Sequence, residues 1–120
     1  MKRFIILFLL IVLSASAIAE PLSGGWSNVP HEPVQLPEDA QTAFDKALEG
    51  LVGADYTPVA LMSTQVVAGM NYCILCQIMP VVPDATPTWA LVYIYADLEG
   101  NAEITNVYDL YIDRHSTPAK

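Results

Sequence analysis

From a helix expected over residues 37–50 and on to residue 51, the apolar positions Ala40, Phe44, Ala47, Leu48 and Leu51 recur at the spacing of one stripe along an α-helix. Gln41, Asp45, Lys46 and Glu49 fall on the solvated side. Pro37 suits the first helical position, Glu38 and Asp39 place carboxylates at the positive end of the helix dipole, and Gly50 with Gly53 supplies the stop. Downstream the period shortens to two. Strands are expected over about 56–64, 70–82, 88–98 and 103–112. In the third, Ala90, Val92, Ile94 and Ala96 alternate with Leu91, Tyr93 and Tyr95, so the small aliphatic set fits against a helix and the tyrosines take the other face. In the second, Tyr72, Ile74, Cys76 and Ile78 form the inner face, with Cys73 and Gln77 outside. A helix with one apolar face needs a sheet to bury it, and the fold class that follows is α+β.

Breakers divide the strands. The connections are the residues Gln65, Val66, Val67, Ala68 and Gly69, then the stretch with Pro80, Pro83 and Pro87, then Glu99-Gly100-Asn101. Meander connectivity puts the first and third of these at the same end of the sheet. Residues 20–36 hold Pro21, Pro30, Pro33 and the Gly24-Gly25 pair without sustained periodicity, and read as an extended, mobile arm. Within it, Trp26 is either an apolar anchor for a partner or a ring folded back on the sheet.

The first 19 residues change the picture of charge and compartment. Lys2-Arg3, the apolar run over 4–13 and Ala17-Ile18-Ala19 have the order of a secretory signal peptide cut before Glu20, and the run is about half of the ~20 apolar residues that a spanning helix needs. The expected product is secreted or periplasmic, with an arm over 20–36, a domain over 37–113 and a flexible tail over 114–120. It keeps Lys46, Arg114 and Lys120 against 13 acidic residues. That balance argues against nucleic acid and against anionic membrane surfaces, which require clustered Lys and Arg. Cys73 and Cys76, three apart on one strand, lie ~10 Å apart on opposite faces, beyond the ~7 Å that a disulfide spans, unless a bulge intervenes.

The tip between the first two strands is unusual because it is apolar. Two valines and an alanine at a hairpin end cannot be buried by their own sheet, which suggests a surface that enters another molecule's cleft. Gln65-x-Val67-x-Gly69 followed by Asn71-Tyr72, with Gly24-Gly25 upstream and one helix between, resembles the cystatins, protein inhibitors of papain-like cysteine proteases. The resemblance spans about residues 24–112. It implies a cystatin-like antiparallel sheet wrapped around one helix, a monomer, and a wedge of Gly24, Gly25, Trp26, Gln65, Val66, Val67, Ala68 and Gly69 that fills a protease cleft without covalent chemistry. A third contact is implied at Glu99, Gly100 and Asn101. The Pro-Trp pair that cystatins often carry at that turn is absent; Trp89 follows Pro87 at the opposite end.

Catalytic chemistry finds no foothold. The two histidines, His31 and His115, fall in the arm and the tail, away from either cysteine in sequence. Asp97-x-Glu99-x-Asn101-x-Glu103 spaces oxygen ligands evenly, but its Gly100 stands at the fourth place instead of the sixth that a calcium loop uses, and an acidic hairpin turn explains it. The reading is a binding protein without cofactor or metal, either an inhibitor or a cystatin-fold binding or structural module that does not inhibit.

Overall fold

A computed structural model of the chain describes residues 25–115. The expected signal peptide over 1–19, the cut before Glu20, Gly24 and the tail beyond His115 lie outside the described residues. Helix α1 is Glu38–Ala47, followed by β1 (Ala54–Val67), β2 (Gly69–Pro80), β3 (Thr88–Ala96), β4 (Ala102–Leu110) and a 3-10 turn, Ile112–His115. The four strands form one antiparallel sheet in the order β1-β2-β3-β4. The helix packs on one face of it, an α+β architecture.

α1 forms for the reasons its sequence offers, with two adjustments. Pro37 is the cap rather than the first helical residue and makes no side-chain cap bond. Gln41 instead ties down the chain that enters the helix: its Oε1 accepts the Leu36 N–H at 3.1 Å while its Nε2 donates to Asp45 at 2.9 Å. The helix ends at Ala47 rather than Gly50, because Glu49 N–H and Leu51 N–H reach back only three residues, to Lys46 and Leu48, and tighten the chain. Gly50 then turns out of the helix at φ +74°. Leu51, expected on the stripe, is swung outward and stands exposed, while Ala43 joins Ala40 and Phe44 in the buried face.

The core lies between that face and the inner side of the sheet. Ile74 and Cys76 of β2 and Val92 and Ile94 of β3 are fully buried, with Leu36, Tyr72 and Phe44 around them. The alternation read along β3 holds: Ala90, Val92 and Ile94 all face inward. Cys73 and Gln77 do lie on the outer side, but neither is solvated. Cys73 sits opposite Tyr93 in the β2–β3 register. Gln77 is covered by the arm.

That covering corrects the expectation of a free arm. Gln77 Oε1 accepts the His31 N–H at 2.8 Å, and its Nε2 donates to the Val29 carbonyl at 2.6 Å, so one side-chain amide binds two backbone groups of the arm as a neighbouring strand would. Asn28 donates to the Pro87 carbonyl, and Val34 N–H to the Pro58 carbonyl of β1. The His31 ring meets Trp89 edge to face at 5.0 Å between centroids. The arm therefore runs over the outer face and past the β1 edge, and Leu36 delivers it into the core beside α1. Pro58 and the bulges at Val59 and Met62 interrupt the regularity of β1, which blunts that edge against pairing with another chain. At the other terminus Arg114 belongs to the 3-10 turn and stacks on Tyr111, 3.9 Å above the ring.

Candidate functional site

β1 and β2 extend further toward their junction than the pattern of residues suggests. Gln65 pairs with Asn71, Val66 with Met70 and Val67 with Gly69, so the turn narrows to Ala68 instead of a five-residue tip. Asn71 Nδ2 donates to Gln65 Oε1 at 3.0 Å, which gives Gln65 a role in holding the hairpin's register. The Ala68 carbonyl accepts the Tyr95 hydroxyl at 2.5 Å and ties the turn to the end of β3.

Gly69 is buried, at φ +116°, and a Cβ there would collide with the Ala96 carbonyl oxygen. Its lack of a side chain is thus required inside the molecule, where hairpin and β3 backbones meet, and that close approach accounts for it without any outside contact. What the tip presents outward is Val66, 80% exposed, with Ala68 and the part-covered Val67 beside it.

The turn between β3 and β4 lies next to this tip, since Ala96 and Asp97 are the groups that back Gly69. Asp97 organises it. One carboxylate oxygen accepts the N–H groups of Glu99 and Asn101, both at 2.9 Å, and the other accepts Asn101 Nδ2 at 3.0 Å. These bonds, the Asn101 side chain first, hold the Asp97 carboxyl below its usual pKa. Glu99, Gly100 and Asn101, the residues expected to make a third contact, thus have backbones engaged in the shape of the turn. The apolar group it offers is Leu98, 83% exposed and missed in the sequence reading. A lone leucine between Asp97 and Glu99 was the available signal.

Tip and turn frame an open groove of ≈ 360 Å³ against the start of α1, where Glu38, Asp39 and Asp97 give it a negative rim and Tyr72 and Met70 line its floor. Burial, with Asp39 adding to it, raises the Tyr72 phenol above its ordinary pKa. The end of the sheet that carries Val66 and Leu98 is accordingly apolar at its two points and acidic around them.

Gly25 and Trp26 are not at that end. Trp26 lines a cavity with Thr88 and Trp89, at the start of β3, and with Leu110, which pairs with Trp89 at the close of β4. The hairpin tip abuts the other end of β3, at Ala96. The structure thus brings Gln65, Val66, Val67, Ala68 and Gly69 together with Glu99, Gly100 and Asn101, and separates Gly25 and Trp26 from both by the length of β3. The cause is the direction of the arm, which is bonded to Pro87 and Gln77 before it reaches α1.

The two thiols are free and buried. Cys76 points into the core and Cys73 to the outer face, so the strand geometry that separates them stands. Burial pushes the Cys76 thiol up to about 12, with Cys73 contributing, and a thiol so rarely ionised is a poor nucleophile.

Fold and site together define a small α+β domain, one end of which presents Val66 and Leu98 as exposed apolar points beside hydrogen-bonded turns. Comparison with family models, with curated proteins and with solved structures returned no match for this chain.

Proposed function

We propose that the chain is a cystatin-like, exported inhibitor of papain-like cysteine proteases, acting as a monomer and without a covalent step by seating its Val66–Ala68 tip and Leu98 in the enzyme's cleft. The observation that carries this reading is the pairing of two exposed apolar points on one rigid end. Val66 and Leu98 are 80% and 83% exposed, Val66 at the end of β1 and Leu98 on the β3–β4 turn, beside backbone held by Tyr95, Gly69 and Asp97. Burying side chains of this size in a partner contributes about 1.5–3 kcal/mol each. A preformed tip loses little conformational entropy on docking. The Gln65-x-Val67-x-Gly69 order and the α-then-four-strand sequence of elements support the cystatin-like assignment. The order of Lys2-Arg3, the apolar run over 4–13 and Ala17-Ile18-Ala19 supports a signal peptide over residues 1–19, a mature chain from Glu20 and a site of action outside the cell or in a periplasm.

The position of Gly25 and Trp26 favours a second reading, a cystatin-fold binding module that docks by the same end but does not inhibit. The two readings separate on one measurement with purified residues 20–120 and a panel of papain-like proteases. The inhibitor reading expects loss of hydrolysis at stoichiometric protein, and a Val66→Asp variant that melts like wild type yet inhibits at least about a hundredfold less, because an unpaired carboxylate would be forced into an apolar cleft. No inhibition across the panel by wild type leaves the binding module. Equal inhibition by wild type and variant would mean that the hairpin is not the contact.

A further inference from the structure

The cavity at the end of the sheet opposite the hairpin tip has a chemistry of its own. It measures ≈ 290 Å³, and its walls include Trp26, Trp89 and Tyr111 together with Asp109, Leu110 and Asp113. That volume is just under the ~300–1,000 Å³ typical of small-ligand sites, in keeping with a small headgroup. Both tryptophans of the whole chain meet here. Their setting is built: the His31 ring braces Trp89 edge to face, and the Asn28–Pro87 hydrogen bond holds the arm that delivers Trp26.

We propose that this cavity binds an alkylammonium group of choline type. Aromatic faces attract cations through their quadrupole, and a methylated ammonium also needs apolar walls and no hydrogen-bond acceptor of its own, which this mixture of rings and leucine provides. The two carboxylates supply countercharge, and the strongly acidic chain raises the local concentration of cations. An anion would meet Asp109 and Asp113. One ring of the wall already carries a cation of the chain itself, the Arg114 guanidinium 3.9 Å above Tyr111.

Choline titration followed by intrinsic tryptophan fluorescence tests this directly, since both fluorophores are in the cavity wall. A saturable change is expected, with 3,3-dimethylbutan-1-ol, the uncharged analogue of the same shape, binding at least tenfold more weakly. Trp26→Ala, at a 65% exposed residue, should weaken choline about tenfold, read from the remaining Trp89 and from calorimetry. Asp113→Asn should weaken it several-fold. Cosedimentation with phosphatidylcholine vesicles, lost in Trp26→Ala, would locate the group in a lipid head and also support the proposal. No saturable response to choline and no vesicle binding, or equal binding of the neutral alcohol, overturns it.

Discussion

Replacing Gly69 by alanine tests the contact on which the geometry of the tip depends. At φ +116° an L-residue occupies sparsely populated backbone space, at a cost of about 1–3 kcal/mol. The added Cβ would also overlap the Ala96 carbonyl oxygen, with Asp97 Cα at 3.1 Å and Ala96 C at 3.2 Å closing the other directions. All three are backbone atoms, so relief requires the β2 start and the β3 end to part, which as an overpacking change costs roughly 1–3 kcal/mol more. The sum, about 2–6 kcal/mol, is a large share of the ~5–15 kcal/mol that holds a domain folded. At ~4–8 °C per kcal/mol for a domain of this size, Tm should fall by about 10 °C or more. Gly50→Ala is the control: its φ is +74° but nothing lies within 4 Å of the new Cβ, so it carries only the backbone strain, about 1–2 kcal/mol. Circular dichroism melts of the two variants, side by side with wild type, decide it. If Gly69→Ala melts no lower than Gly50→Ala, the hairpin does not rest on Ala96 and the shared rigid end is wrong. Partner binding should follow the same order, weakened by Gly69→Ala and kept by Gly50→Ala at temperatures where both are folded.

Gln77→Leu removes the acceptor of the His31 N–H and the donor to the Val29 carbonyl; with those groups left unpaired it should cost about 1–3 kcal/mol and expose the arm, seen as faster limited proteolysis within residues 25–35, and unchanged protection would refute the clamp. The Cys76 thiol is raised from 9.0 in an unfolded chain to about 12 in the fold, so its contribution is complete below pH 9 and disappears as pH climbs from 9 to 12; denaturant midpoints should fall across that window by up to about 4 kcal/mol equivalent, and a Cys76→Ala variant should flatten the fall. Peptide mapping without reduction should find Cys73 and Cys76 alkylated separately after unfolding, and a linked peptide would refute the strand geometry. Asp97, held below its ordinary value, stabilises the β3–β4 turn above pH 3.8 and stops doing so as pH falls through its lowered pKa; amide protection of Glu99 and Asn101 should drop in that acid range and should be lost at neutral pH in Asp97→Ala.

The parts of this molecule that could be read from the chain are those with a short period. Ala40, Phe44 and Ala47 mark a helix, and Ala90, Val92 and Ile94 mark the inner face of a strand, because side-chain direction there follows from backbone geometry within a few residues. The acidic turn at Glu99-Gly100-Asn101 was visible for the same reason, and so was the apolar tip at Val66 and Val67. The helix end was less legible: Leu51 continues the stripe on paper, but a tightened last turn rotates it to solvent, and that choice rests on bonds that residue types do not announce. Gly69 has the appearance of a turn glycine, and its real constraint, the Ala96 carbonyl, comes from a strand that the sequence places far downstream. The arm was the least legible segment, because residues without a period have no face to assign. Its path is decided by Gln77, Pro87, Trp89 and Pro58, all more than twenty residues away, and with that path go the burial of Gln77 and the placement of Trp26 at one end of the sheet instead of the other. Local periodicity thus specified the helix and strand faces, while the position of each loop relative to the others waited on long-range hydrogen bonds and backbone approaches that only the folded chain creates.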